Sequence, residues 1–200
     1  MAEERRRSKA EQSQATREAL VQVARELFAE QGFSGTATEE IVERAGVTRG
    51  ALYHQFRDKR DLFLAVMEAV QGELSTRLLE ATATVESPLG KLRAGFAEYL
   101  DASMDPRVAR IALTEARAVL GWEEWRRIET ENGYAMTFAM LEAAIQAGEI
   151  PAQPAGPLAH LLLGAANEAA FLIAGADDPS RTRAEMGEAL DRLMRSLASP

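Results

Sequence analysis

Residues 36–61 read TATEEIVERAGVTRGALYHQFRDKRD, and this stretch predicts two short helices joined by a sharp turn. Thr36 and Glu39 have the spacing of a capping box, which predicts the start of the first helix. Gly46 predicts its end, because glycine readily adopts the left-handed conformation found at helix C-termini. Thr48 then supplies a hydroxyl N-cap for the second helix. Together these features are typical of a helix-turn-helix.

The second helix of this pair has an inner and an outer face. Leu52 and Phe56 are four residues apart and are predicted to point into the core. The N-terminal part of such a helix enters the major groove of DNA. The residues expected nearest to base edges are Thr48, Arg49, Gly50 and Ala51. Arg49 can pair with a guanine edge, Gly50 permits close backbone approach, and the methyl group of Ala51 suits a thymine methyl.

Further side chains on this surface suit phosphate oxygens, which fix the position of a protein on DNA without reading its sequence. Tyr53 and His54 offer a hydroxyl and an imidazole N–H. Asp58 predicts the N-cap of a third helix, and Lys59 in its first turn is a second predicted phosphate contact, since cations and free N–H groups there favour anions. An ordinary solvated helix face is the alternative. Five features converging within residues 36–61 favour DNA binding.

The segment GVTRGALYHQFRDKRDLF at residues 46–63, preceded by an amphipathic helix that ends in Gly32 and Phe33, resembles the DNA-binding domain of the tetracycline-repressor (TetR) family of bacterial transcription regulators. The resemblance covers about residues 16–70. Val42 departs from the family pattern, which usually has alanine at this helix crossing. The resemblance implies that the second helix reads bases. It also implies phosphate contacts by the residues that match Thr38, Thr48, Tyr53, His54 and Lys59.

Composition limits the class of protein. The chain has 200 residues, 46% of them apolar, which suffices for one large or two small domains. It has no cysteine, which excludes disulfides and cysteine-based zinc sites and fits a cytoplasmic location. Residues 1–61 carry eleven basic and eleven acidic side chains, whereas residues 62–200 carry twelve and twenty. An acidic body would help to orient the neutral, locally basic first part toward DNA.

The pattern of caps and apolar spacing predicts an all-α fold of about nine helices. A three-helix helix-turn-helix domain over residues 15–72 is followed by a larger helical ligand-binding and dimerisation domain over residues 73–200. The boundary is placed near Gly72, inside a continuous helix. Residues 1–14 are predicted to be a disordered basic arm that either follows the minor groove or is a solvated tail.

A long helix is predicted over residues 122–147, with Gly148 ending it. The helical spacing predicts an inward face made of Trp125, Ile128, Asn132, Ala135, Ala139 and Ala143.

The second domain is also predicted to hold a small-molecule pocket, because it supplies large, adaptable apolar side chains with a few polar groups among them. The candidate ligand-binding residues are Phe96, Tyr99, Met104, Glu115, Trp122, Trp125, Asn132, Tyr134, Met136, Phe138 and Asn167, with His160 as a further polar candidate. Each of these positions is also compatible with an ordinary core role.

A helix over residues 157–175 is apolar around most of its circumference, which requires cover on most sides. We interpret it as a buried helix and not as a membrane span. Pairing of the last two helices with a second copy would supply that cover, and the family resemblance implies the same homodimer. A central helix within one subunit is the alternative. The predicted dimerisation residues are Leu161, Leu162, Ala165, Ala169, Leu172, Leu190, Leu193, Met194 and Leu197.

These observations predict a cytoplasmic, homodimeric transcription regulator. We expect a repressor that binds double-stranded palindromic DNA and leaves it when a small, mostly apolar effector binds. No cofactor, metal site or catalytic constellation is predicted, because no phosphate-binding glycine loop or metal-ligand pattern is found and the two histidines, His54 and His160, fall in different domains. Two alternatives stay open: a helical enzyme or carrier with a vestigial helix-turn-helix, and a DNA-binding module controlled by a partner protein.

Overall fold

The computed structural model describes residues 2–198, and their side chains from residue 10 onward. Within this part of the chain there are eight continuous helical stretches and no strand. The sixth stretch is broken at Gly121, where φ is 79°, and the first is broken in the same way at Gly32, where φ is 78°. Because only three residues follow Gly32 in its stretch, we divide the sixth stretch alone, which gives nine helices. The predicted all-helical architecture is confirmed. The helices are α1 (Ala2–Gly35), α2 (Thr38–Arg44), α3 (Arg49–Gln55), α4 (Lys59–Thr82), α5 (Pro88–Ala102), α6 (residues 106–120), α7 (residues 122–146), α8 (Ala155–Ala174) and α9 (Pro179–Arg195).

The first helix is longer than predicted. Its helical backbone begins at Ala2, so the expectation of a disordered arm over residues 1–14 is corrected for residues 2–14. This segment is rich in Glu, Arg, Gln and Ala, which favour helix and allow α1 to continue without an earlier cap. Gln55 of α3 donates from Nε2 to the hydroxyl of Ser13 over 2.7 Å and so ties the extension to the fold. The side chains of the arginines at positions 5–7 lie outside the described residues.

The turn between α2 and α3 has the predicted glycine geometry. Gly46 has a φ of 65°. Its N–H donates to the carbonyl of Glu43 over 3.1 Å, and the N–H of Val47 donates to the carbonyl of Val42 over 3.0 Å. This pair of bonds is a Schellman motif, which satisfies carbonyls that the end of the helix leaves free. The motif sets the sharp change of direction between the two helices.

Local N-caps are mostly as the sequence predicts. The hydroxyl of Thr48 accepts from the N–H of Ala51 over 3.1 Å, and the carboxylate of Asp58 accepts from the N–H of Asp61 over 2.8 Å. Each cap satisfies an N–H that has no partner within its helix. Further caps with proline in the first turn occur at Ser87, Asp105 and Asp178. The helix predicted to open at Pro157 begins earlier, at Ala155.

The capping box predicted at Thr36 is wrong. The buried hydroxyl of Thr36 donates to the carbonyl oxygen of Gly32 over 2.8 Å, and α2 begins two residues later, at Thr38. Ala37 occupies the N-cap position without a side-chain hydrogen bond. The hydroxyl thus bonds to the end of α1 and not to an N–H of α2. Thr36 closes the turn that follows α1 and does not cap α2.

The first core lies beneath the helix-turn-helix head, which we define as α1–α3 with the first turn of α4. The rings of Phe28, Phe33 and Phe63 lie against one another, with centroid separations of 5.3–5.8 Å. Ile111 and Ala116 of α6 are buried in the same cluster. The head therefore shares its core with a helix of the second half of the chain.

The face of α7 that points inward differs from the prediction. Residues Thr130–Tyr134 form a π-helical turn. A π-turn contains one more residue than an α-turn, which shifts all later side chains around the helix. Three positions predicted to face inward are exposed instead: Ala135, Ala139 and Ala143. The positions buried in their place are Thr137, Leu141 and Ala144.

The second core joins α5 and α7–α9. Helix α8 is long and apolar enough to span a membrane by length and composition, but it is the one described helix of this kind and eight of its residues are buried within the protein. That burial supports its interpretation as a core helix. Leu161 and Leu172 on its opposite side are exposed.

Candidate nucleic-acid interface and internal cavity

The outer face of α3 carries the side chains that the sequence assigned to DNA. Arg49, Gly50, Tyr53 and His54 are exposed, whereas Leu52 between them is fully buried. Thr48 is exposed at the start of the helix, while Ala51 and Thr38 are half-buried beside it. The buried leucine fixes the rotation of α3, and the polar residues consequently share one accessible surface.

Arg49 already has a partner in the free protein. Its guanidinium lies 3.3 Å from the carboxylate of Glu39 and 5.6 Å from the centre of the Tyr53 ring. The pKa of Glu39 lies below its usual range because its own main-chain N–H, the hydroxyl of Thr38 and the charge of Arg49 stabilise the ionised form. The ionised Glu39 is therefore a negative charge at the edge of the surface that would meet phosphates.

Lys59 has a structural role that the sequence prediction missed. Its ammonium donates to the carbonyl oxygens of Phe33 and Thr36 over 2.7 and 2.8 Å and lies 4.4 Å from the centre of the Phe33 ring. These contacts hold the α1–α2 turn against α4. A phosphate contact by Lys59 stays a prediction, limited to the third N–H of the ammonium group.

A second set of contacts joins the head to α6. The N–H of Phe33 donates to the carboxylate of Glu115 over 2.5 Å, and Arg110 donates to the carbonyl of Glu30 over 2.9 Å. From the other side, Arg60 of α4 donates to the carbonyl of Leu120 over 2.6 Å. The end of α1 is thus held by side chains from the π-helical part of α6, residues Ala109–Glu115.

Between the helices of the second half lies a first cavity of about 60 Å³, lined by α4, α5, α7 and α8. Its side chains are mostly apolar, with amide and hydroxyl groups among them. A second, smaller cavity of about 20 Å³ adjoins it and reaches α6. The two cavities share five residues: Gln71, Leu74, Tyr99, Glu129 and Asn167.

A chain of hydrogen bonds crosses the shared wall. The hydroxyl of Tyr99 donates to Oδ1 of Asn167 over 2.7 Å, and Nδ2 of Asn167 donates to a carboxylate oxygen of Glu129 over 2.6 Å. Burial raises the pKa of Glu129, and the bond from Asn167 and the charge of Arg126 oppose that rise. Burial also raises the pKa of Tyr99, helped by the charge of Glu129, so this phenol stays protonated as a donor.

Six of the predicted ligand-binding residues line these cavities. Phe96, Asn132 and Met136 line the first cavity, Trp125 lines the second, and Tyr99 and Asn167 line both. Three predicted residues belong to the surrounding core instead. Met104 and Phe138 pack into the second core, and Tyr134 stacks on His160 with ring centroids 4.3 Å apart.

Two further predictions of cavity residues are corrected by position. Glu115 contacts the head and not the cavity, because it faces Gly32 and the N–H of Phe33. Trp122 is 56% exposed and lies beneath the guanidinium of Arg117 on the outside of the protein. Both residues lie on the side of α6 or α7 that faces away from the second core.

The sequence prediction missed Glu129, the acidic member of the cavity wall. Residues of α7 reach the first cavity at helical spacing, and they are Glu129, Asn132, Gly133, Met136, Thr137 and Met140. Gly133 is small for a packing reason, since a Cβ there would lie 3.1 Å from Leu163 of α8. The helical spacing of these six residues is visible in the sequence. It was overlooked because Ala135, Ala139 and Ala143 were assigned to the inward face, whereas the π-turn places them on the outside.

The predicted dimerisation residues fall into two groups. Leu162, Ala169, Leu190 and Met194 are buried in the subunit's own core, which corrects their assignment to an intersubunit surface. Leu161, Leu172 and Leu193 are exposed, and Ala165 and Leu197 are half-buried. An apolar surface thus remains on α8 and α9, smaller than the sequence suggested.

Comparison with protein families decides the identity of the chain. Residues 20–66 match the family described as bacterial regulatory proteins, tetR family. Residues 89–197 match the family described as tetracyclin repressor-like, C-terminal domain, and this match covers more than half of the chain. The chain belongs to the TetR family of transcriptional regulators.

Individual TetR-family relatives agree. The transposon Tn10 TetC protein of Escherichia coli is 30% identical over 158 residues, which span 77% of this chain and 78% of the relative. The HTH-type transcriptional regulator AcrR of Shigella flexneri is 36% identical over 104 residues, about half of each chain. A crystal structure of a TetR-family transcriptional regulator from Pectobacterium atrosepticum superposes with a TM-score of 0.82 at 32% identity, over 94% of this chain and 97% of the other.

Proposed function

We propose that this TetR-family protein is a dimeric repressor that binds palindromic operator DNA through α3 and releases it when a small molecule occupies the first cavity. The observation that carries this proposal is the placement of two sites on one helix. Helix α4 bears Lys59 and Arg60 at the head and Gln71, Leu74, Ser75 and Leu78 in the cavity wall.

The DNA contacts follow from the exposed face of α3. Arg49, Gly50 and Ala51 lie in its first turn, where a recognition helix meets base edges, and an arginine there can pair with guanine. Tyr53 and His54 lie one turn later and suit phosphate oxygens. The negative charge of residues 62–200 keeps the rest of the protein away from DNA.

The effector site follows from the position and chemistry of the first cavity. The cavity lies between the helices of a bundle, a common place for small-molecule sites, and its free volume of about 60 Å³ would have to widen by side-chain movement to admit an effector. Phe96, Met136 and Met140 provide adaptable apolar walls, and Tyr99, Asn132 and Asn167 provide polar groups that would orient a ligand. Such a composition favours a mostly apolar molecule with one polar end.

Coupling between the sites follows from helices that contact both. Helix α6 contributes Val108 and Ala112 to the second cavity and Glu115 to the end of α1. The protein would have one arrangement of α4 and α6 that binds DNA and another that does not. A ligand with higher affinity for the second arrangement weakens operator binding by the ratio of its two affinities. A dimer adds geometry, because two heads about 34 Å apart match successive major-groove faces of a palindrome.

The test is selection of operator DNA from random double-stranded sequences with the purified protein, followed by affinity measurements at several salt concentrations. We expect a palindrome with half-sites about one helical turn apart and an affinity that falls steeply with salt. Failure of any sequence to emerge at low salt, with protein shown to be folded, would contradict the proposal.

A further inference from the structure

We propose that the first cavity selects organic cations, that is, molecules with an apolar, partly aromatic body and one positively charged nitrogen held against Glu129. The inference deepens the proposed function by naming the class of effector for the same cavity. The inference rests on the position of one oriented carboxylate among the aromatic and methionine side chains of the cavity wall.

The charge of the cavity wall is the first observation. Among the described residues that line either cavity, Glu129 is the one whose side chain is ordinarily charged at neutral pH. Within the described side chains it forms no ion pair with lysine, arginine or histidine at 4 Å or less. Glu129 is half-buried, and a partly desolvated carboxylate without a cationic partner is unfavourable, so a bound cation would supply that partner.

The orientation of this carboxylate is the second observation. Asn167 donates to one carboxylate oxygen, and Tyr99 in turn donates to Asn167. The two donors come from α8 and α5 and fix the side chain of Glu129, which comes from α7. The neighbouring cation Arg126 is exposed on the same helix, and its attraction is the weakest of the influences on Glu129. The carboxylate is thus held in place before a ligand arrives, which limits the ordering needed on binding.

The rest of the wall suits the body of such a ligand. Phe96 and Tyr99 present aromatic rings, and ring faces attract desolvated cations. Met136 and Met140 add flexible, polarisable cover. An anionic ligand would meet Glu129 without a compensating cation in the wall and is therefore disfavoured.

The experiment compares two compounds of the same shape by calorimetric titration of the full-length protein without DNA. The cation is (4-hydroxybenzyl)trimethylammonium, and its neutral counterpart is 4-neopentylphenol, in which carbon replaces the charged nitrogen. Naphthyl homologues of both extend the series in size. We expect the cations to bind about ten- to a hundredfold more tightly, because the ammonium is attracted by the carboxylate of Glu129 and by the aromatic ring faces.

Two variants show whether Glu129 causes the selectivity. Glu129→Gln keeps the shape of the side chain and an acceptor for Asn167, and we expect it to reduce the affinity for each cation to that for its neutral counterpart. Glu142→Gln removes the same charge from an exposed position of α7 and should keep the selectivity. Equal affinities in the unmodified protein, selectivity that survives Glu129→Gln, or no binding of either series at millimolar concentration would each overturn the inference.

The result is separable from the proposed function, because the titrations contain no DNA. If an operator is found but cations bind no better than their neutral counterparts, the proposed ligand class is wrong and the proposed repressor function stands. Cation selectivity without any operator would reject the regulator and leave the cavity assignment intact.

Discussion

Arg60, the second residue of α4, donates from Nη2 to the carbonyl oxygen of Leu120 over 2.6 Å, at the last position of α6 before the break at Gly121. Its Nε donates to the neighbouring carbonyl of Val119 over 3.1 Å. Because a single side chain spans both helices, it links the helix-turn-helix head to a helix that also lines the second cavity.

Replacement of Arg60 should weaken the effect of a bound ligand on operator affinity. We expect Arg60→Ala to reduce the coupling free energy by about 0.5–2 kcal/mol while α3 stays intact. The measurement is the ratio of operator affinities without and with a ligand found by screening. Arg77→Ala is the matched control, since Arg77 lies on the same helix but pairs with Glu98 of α5. An unchanged ratio in Arg60→Ala would show that coupling does not pass through this contact.

Glu39 should restrain Arg49 before DNA binds. We expect Glu39→Gln to strengthen operator binding by up to about fivefold, because it frees the guanidinium and removes a negative charge near phosphates. Arg49→Ala should cost about 1–3 kcal/mol and relax specificity at one operator position. Both effects are measurable by titration against the selected operator and its single-base variants. Weaker binding by Glu39→Gln would mean that this carboxylate positions Arg49 productively.

Two glycine substitutions should change stability in opposite directions. Gly46 and Gly72 both have open space where a Cβ would lie, but only Gly46 has a positive φ, of 65°. Gly46→Ala should therefore lower the free energy of unfolding by about 1–2 kcal/mol. Gly72→Ala, within α4, should raise it by about 0.5–1 kcal/mol. Urea unfolding of the two variants tests the contrast, and equal effects would contradict the turn geometry.

The raised pKa of Glu129 predicts a pH-dependent difference in stability. Burial disfavours the ionised form, so between the ordinary carboxyl pKa of 4.5 and the higher native pKa the folded state binds more protons than the unfolded state. Stability contributed by this group is therefore present below pH 4.5 and is lost as the pH rises through the native pKa. We expect Glu129→Gln to unfold at a higher temperature than the unmodified protein at pH 7.

At pH 4 the difference between the two proteins should shrink, because Glu129 is then protonated in both the folded and unfolded states. Thermal unfolding at both pH values tests this, with Glu142→Gln as the control for the loss of a surface charge. A gain that is equal at pH 4 and pH 7 would assign the effect to packing and not to ionisation.

The exposed leucines of α8 and α9 should control oligomeric state. Leu161 and Leu193 are 71% and 47% exposed in the single chain. Leu161→Glu and Leu193→Glu would bury charge at the proposed intersubunit surface and should shift the protein toward monomers in sedimentation experiments. Leu79→Glu changes a leucine of α4 that is 60% exposed and should leave the mass unchanged. A monomer in the unmodified protein would remove the basis for a palindromic operator.

Features set by neighbouring residues were predictable from the sequence. The caps at Thr48 and Asp58 and the left-handed glycine at Gly46 depend on atoms only a few positions away, so composition and spacing suffice to predict them. Thr36 has an equally suitable spacing, but its hydroxyl donates to the carbonyl oxygen of Gly32. The sequence does not show whether this hydroxyl accepts from an N–H of the following helix or donates to a carbonyl of the preceding one.

Features set by packing between distant helices were not predictable. Glu115 and Lys59 resemble ordinary helix residues until α6 and α4 are placed beside the end of α1. Ala135, Ala139 and Ala143 were assigned to the wrong face for a different reason, since the π-helical turn Thr130–Tyr134 changes the phase of α7 after it. A constant helical period assigns later residues to the wrong face whenever such a turn interrupts it.

Helix α4 runs without a break from the helix-turn-helix head to the cavity wall, so a tilt of this helix at the cavity moves the head. About twelve residues separate Lys59 from the cavity residue Gln71, a distance of about 18 Å at 1.5 Å per residue. A tilt of about 5° about the cavity end would move the head by about 1.6 Å over this length. In a symmetric pair the displacements of the two heads add. A tilt of this size could therefore alter the distance between the two heads by about 3 Å, comparable to the rise of one base pair.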